Sequence, residues 1–122
     1  MTTNLPTYIE VMRTIKQEIV SGILEPSQKL DSIKVLSEKY NVNPNTVHRA
    51  LACLEEEGLL RSRRTAGKFV TDNLILIRSI RYKEARKVTD EFVSNLEHLG
   101  ITPNELVSLF EEPEFSVVRA TS

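Results

Sequence analysis

The chain has 122 residues, of which 40% are hydrophobic and 27% charged, and its net charge is −1. That is an ordinary globular composition. It suffices for one modest core, burying roughly two-thirds of the unfolded surface, and excludes a large multidomain enzyme. Low net charge with normal apolar content argues against disorder along the whole chain.

No run of 18 apolar residues occurs, so no transmembrane helix and no membrane partner are expected. The opening MTTNLPTYIEV has no basic segment followed by an apolar core, so a secretory signal is not expected. The single cysteine, Cys53, can form neither an internal disulfide nor a Cys-rich zinc site. A cytoplasmic setting is the expectation. The charge is uneven: residues 1–71 hold 10 Lys/Arg against 8 Asp/Glu, residues 72–122 hold 6 against 9. Arg61, Arg63, Arg64 and Lys68 cluster most tightly.

In chain order, Tyr8, Met12, Ile15 and Ile19 recur at helical spacing and predict an amphipathic helix over about 6–21. Pro6 suits its first turn and Gly22 its C-terminal cap. The following ILEPSQKL reads as a loop broken by Pro26. Ile33, Leu36 and Tyr40, with Val35 beside them, predict a short helix over 33–40, and Asp31 and Ser32 offer N-cap oxygens. Asn43 as cap and Pro44 as first residue open a third helix over about 44–57. Val47, Ala50, Leu51 and Leu54 form its apolar stripe. Asn45, Thr46, His48 and Arg49 point elsewhere. Glu55, Glu56 and Glu57 crowd its C-terminus, which the helix dipole disfavours, and Gly58 ends it.

Leu59–Arg63 and Lys68–Thr71 read as two short strands joined by a hairpin with one glycine, Gly67. Such a hairpin must lean on helices to be stable. Residues 73–99 carry a long helical pattern of Ile77, Ile80, Ala85, Val88, Phe92, Leu96 and Leu99, near-heptad from Ala85 onward, capped by Gly100. Thr102-Pro103-Asn104-Glu105 is a capping box opening a last helix over about 103–111, with Leu106, Val107, Leu109 and Phe110 apolar. The tail at 113–122 is expected to be loose. The fold class is therefore mainly α with a small β-hairpin: a winged helix-turn-helix over 1–72, then a two-helix segment over 73–112.

The third helix seats one face on a core and offers Asn, Thr, His and Arg on the other, the residue types that read base edges in a major groove. Its N-terminus favours phosphate. The basic hairpin beside it can neutralise DNA backbone charge. Residues 6–70 resemble the GntR-type DNA-binding domain along their whole length. The match rests on Pro6–Tyr8, Ile19 through Gly22, Pro26, Leu30–Ser32, Leu36, Val42, Thr46–Val47, Ala50–Leu51, Leu54, Glu57–Gly58–Leu59 and Gly67–Phe69–Val70. VNPNTV at 42–47 is similar to the YtrA-type branch, whose short two-helix extension fits residues 73–111.

The resemblance implies a homodimeric transcriptional regulator that binds double-stranded DNA. A repressor occupying a palindromic promoter operator is expected, with half-sites about 10 bp apart or multiples of that. Such regulators often control their own operon, beside transporter genes. Asn43, Asn45, Thr46, His48 and Arg49 are assigned to the major groove. Ser32, Lys34, Arg64, Gly67 and Lys68 are assigned to phosphate or the neighbouring minor groove. Ala85, Val88, Phe92, Leu96, Leu99, Leu106 and Phe110 are assigned to the dimer interface.

The chain departs from the family pattern at several points. Lys34 stands where Arg is common and loses the bidentate fork. Asp31 replaces Pro, Pro44 stands where Arg is common, and Thr65 replaces the first wing glycine. These changes set the family's usual operator aside. No phosphate loop, nucleophile elbow or HExxH motif is present. No catalytic residue, metal site or cofactor is therefore expected. A small-molecule effector would have to bind between extension and winged domain or at the dimer interface. The alternative reading is a winged helix serving a protein partner, with Asn45, Thr46, His48 and Arg49 a solvated face and Arg61, Arg63, Arg64 and Lys68 a charged edge that resists aggregation.

Overall fold

The computed structural model describes residues 7–113. Helix α1 spans Tyr8–Ser21, α2 Ile33–Tyr40, α3 Pro44–Glu56, strand β1 Leu60–Arg63, β2 Gly67–Val70, α4 Leu74–His98 and α5 Pro103–Phe110. A single 3₁₀ turn, Arg64–Ala66, joins the strands. The mainly α class with one antiparallel hairpin is as expected, and β1 and β2 pair in register from Leu60–Val70 to Arg63–Gly67.

The helix boundaries follow local chemistry. Thr7, rather than the Pro6 region, starts α1: its hydroxyl accepts from the Glu10 N–H, and the Glu10 carboxylate accepts from the Thr7 N–H, a full capping box. Pro6 lies outside the described residues. Ser32 caps α2 and Asn43 caps α3, each accepting a backbone N–H three residues on. Asn73 does the same for Leu76 at the start of α4, and the Thr102–Glu105 box opens α5. The expected tail lies, beyond Pro113, outside the described residues.

The core sits where α1 and α2 pack on α3 and the hairpin closes behind. Val47, Ala50, Leu51 and Leu54 of α3 are all buried, as their spacing predicts. In α1 the buried line is Val11, Ile15 and Ile19, with Tyr8 and Met12 half-buried at its flank. The line at i, i+4, i+8 wins because α1 meets α3 along it. In α2 only Leu36 among the predicted apolar set is buried, and Val35 is exposed.

The linker between α1 and α2 is more than a loop. Leu30 N–H donates to the Lys68 carbonyl, Val70 N–H to the Gln28 carbonyl and Ser27 N–H to the Val70 carbonyl. Lys29 bridges Phe69 in antiparallel fashion. The linker therefore covers the free edge of β2, which would otherwise present unpaired backbone groups. The glutamate run at the end of α3 is also resolved by tertiary contacts. Glu57 pairs with the buried Lys16 at 3.1 Å, and Glu55 pairs with Lys68 at 2.8 Å.

The described residues form two compact units, one up to Tyr82 and one from Lys83. The division falls inside α4 rather than at residue 72, because Ile77 and Ile80 are buried in the core of the first unit. The turn after α3 depends on the same contact. Gly58 has φ +83, and a Cβ there would stand 3.0 Å from Leu76 Cδ2. Gly58→Ala is expected to lower unfolding stability by about 1–3 kcal/mol, from the left-handed backbone and the crowding together. Chemical denaturation would read this. An unchanged midpoint would mean the turn relaxes freely.

Candidate nucleic-acid interface

Helix α3 presents two classes of side chain. Asn45, His48 and Arg49 are exposed. Asn43 and Thr46 are tied into the cap: Asn43 Oδ1 accepts from the Thr46 N–H at 3.1 Å and from the Thr46 hydroxyl at 3.4 Å. Of the five residues assigned to the major groove, these two also hold the helix start. Arg49 reaches α1, its guanidinium carbon lying 3.9 Å from the centre of the Tyr8 ring.

The second set converges on a groove of about 880 Å³ between the start of α2 and the hairpin tip. Ser32, Lys34, Arg64, Gly67 and Lys68 all line it. Sequence separation gives no hint of this: the chain brings residues 32–34 to residues 64–68 only because the linker pairs with β2. Lys29 lines the groove too and was not among the expected residues. Its signal is absent locally, since a lysine in a loop is ordinary. Lys29, Lys34, Arg64 and Lys68 line the groove together with one carboxylate, Asp31.

Two of the hairpin residues have backbone reasons for their identity. Gly67 has φ +109, and a Cβ would come within 3.2 Å of Lys29 Cε. Glycine therefore lets the Lys29 stem lie against the hairpin turn. Arg64 adopts φ +30, an uncommon region for a residue with a side chain. Thr65, in place of a glycine, sits between them in the 3₁₀ turn.

The cations of the hairpin are not equivalent. Lys68 donates to Glu55 at 2.8 Å and to the Ser62 hydroxyl at 2.7 Å. The hydrogen bond from Lys68, then that from Ser62, holds the Glu55 carboxyl below its ordinary range. Lys68 thus clasps the hairpin to α3, and its charge is partly spent there. Arg61 pairs with Asp72 at 2.9 Å. Arg63 lies 5.0 Å from the Phe69 ring centre. Arg64, at the tip, is exposed.

The second unit carries the residues assigned to the interface. Ala85, Val88, Phe92, Leu99 and Phe110 are exposed, and Leu96 and Leu106 are half-buried. The Phe92 and Phe110 rings stand 6.1 Å apart, tilted by 39°. Val107 and Leu109 add further exposed apolar surface beside them. Their signal was legible, since they belong to the apolar set of the last helix. Among the described residues, no helix is long and apolar enough to cross a membrane.

Comparison with known proteins agrees with this geometry. The profile of the bacterial regulatory proteins of the gntR family matches residues 7–70. The uncharacterised HTH-type transcriptional regulator YhcF of Bacillus subtilis is 29% identical over 102 residues, 84% of either chain. The transcriptional repressor YtrA of the same organism is 34% identical over 68 residues, 56% of this chain and 52% of YtrA. A GntR family regulator from Listeria monocytogenes superposes with a TM-score of 0.82 at 32% identity, covering 91% of this chain and 97% of the other. The AraR DNA-binding domain, in complex with operator ORX1, aligns at 32% identity with a TM-score of 0.52, covering 56% of this chain and 82% of AraR's domain. The chain belongs to the GntR family of bacterial regulatory proteins and is a DNA-binding transcriptional regulator, not an enzyme.

Proposed function

We propose that the protein is a homodimeric repressor that occupies a palindromic operator in a promoter. The observation that carries this reading is the groove in which Lys29, Lys34, Arg64 and Lys68 converge beside the α2 N-terminus and the hairpin tip. Phosphate contacts of this kind fix register on the duplex. Sequence is then read by Asn45, His48 and Arg49, the exposed donors of α3. A likeness to YtrA, named a repressor, supports the direction of regulation. The exposed apolar residues of α4 and α5 support a second copy as the partner, because a monomer rarely leaves such a patch in water.

The test is a salt titration of binding to a promoter fragment from the protein's own operon, against a scrambled duplex. Tight binding to the promoter alone, with log K falling by several units per log[salt], is the expected result. Weak and equal binding to both duplexes would favour a winged helix that serves a protein partner. In the same assay Arg49→Ala is expected to cost about 1–3 kcal/mol on the operator and to relax its specificity. Equal loss on both duplexes would reassign Arg49 to phosphate.

A further inference from the structure

Within the reading face of α3, one side chain is held from outside the helix. Arg49 lies one turn beyond Asn45 on the same exposed face. Its guanidinium carbon is 3.9 Å from the centroid of the Tyr8 ring, well inside the roughly 6 Å reach of a cation–π contact. Tyr8 is a firm support. It is the first residue of α1, between the two members of the Thr7–Glu10 capping box, and it packs against the core from its half-buried position. Its ring is thus anchored to the core that α1 and α3 share.

A guanidinium against an aromatic face keeps its in-plane N–H donors at the rim. Those are the donors that bind guanine O6 and N7 together. The contact also removes rotamer freedom before DNA arrives, so less is lost on binding. From this geometry we propose that Tyr8 is a positioning residue for sequence readout, holding the Arg49 fork for a guanine edge. The inference rests on the DNA-reading function above and names one device by which it is specific. Tyr8 touches no base itself; it acts through Arg49.

The test uses the full chain and an operator duplex selected from a random pool, with each G·C pair of the half-site replaced in turn. Tyr8→Phe keeps the ring and is expected to bind like the wild type. Tyr8→Leu removes it and is expected to lose roughly three- to tenfold in operator affinity, with the loss confined to the one G·C pair that Arg49→Ala also stops reading. Tyr8→Leu added to Arg49→Ala is expected to change nothing further. Should Tyr8→Leu fail to fold by thermal melting, Tyr8→Met, also without a ring, takes its place.

A second readout needs no DNA. The Arg49 δ protons are expected to carry an upfield ring-current shift in the wild type and in Tyr8→Phe, and to lose it in the ring-free variant. Wild-type affinity in the ring-free variant, an equal loss on every duplex, tighter binding, or further loss in the Arg49→Ala background would each overturn the proposal. Failure of the wild type to distinguish operator from scrambled DNA would instead overturn the DNA-reading function, and this proposal with it.

Discussion

Phe92→Asp is expected to convert the proposed dimer to monomer by light scattering, while each protomer stays folded. The fold survives because Phe92 is 42% exposed in the single chain, so the new carboxylate can remain in water. The proposed dimer does not, because its formation would drag that carboxylate in among exposed apolar side chains, Phe110 beside it. An unpaired charge buried this way costs several kcal/mol, enough to undo an interface of modest size. The consequence for DNA is larger than the consequence for the fold. Two linked reading heads bind a palindrome with an advantage of roughly 10²–10⁴ over one alone. Operator affinity should fall by that factor, while the salt slope per protomer stays the same. An unchanged mass would mean that this face packs within one chain.

The second large effect concerns the groove. Replacing Lys29, Lys34 and Arg64 together by alanine removes three cations from the groove wall. Each DNA phosphate left without its cation changes the slope of log K against log[salt] by about 0.9. For a dimer that meets phosphate with all of these side chains, the slope should flatten by about 5, and affinity should fall roughly a thousandfold or more at moderate salt. The loss should be alike on operator and scrambled duplex, since phosphate carries no sequence. This distinguishes it from Arg49→Ala, which should spare the scrambled duplex. Lys68 is left in place because its partner is Glu55 at 2.8 Å, and its removal would unclasp the hairpin from α3. A slope unchanged by the triple substitution would move the DNA backbone off this groove.

Much of the winged unit was written in short-range signals. Ser32, Asn43 and Thr102 are N-caps because their side-chain oxygens accept an N–H three residues on. The stripe Val47, Ala50, Leu51 and Leu54 is buried because it lies on one face of one helix. These features need only neighbours along the chain, so they can be found in the sequence. Thr7 and Glu10 form the same kind of box. That signal is equally local, but Pro6 offers a competing first helical residue, two positions before Tyr8.

The site was legible in its parts and not in its arrangement. The family resemblance assigns Ser32, Lys34, Arg64, Gly67 and Lys68 to DNA without showing that they meet. That they share one groove with Lys29 follows from backbone pairing between residues 27–30 and β2. Three hydrogen bonds across some forty residues of chain leave no periodic trace in so short a segment. The acidic end of α3 shows the same limit. Three adjacent glutamates look unfavourable beside a helix C-terminus. Lys16 of α1 and Lys68 of β2 reach two of them from elsewhere in the fold.

The sequence by itself determined the element order, the helix caps, the apolar face of α3 and the donors opposite it, because each depends on residues within one or two turns. Tertiary structure alone decided which lysines are held in ion pairs and which line the groove. It decided that α4 begins inside the first core, through Ile77 and Ile80. It also set Arg49 against Tyr8, two residues brought together only where α1 crosses α3. Such choices turn on contacts between distant segments, and these exist only once the core has closed.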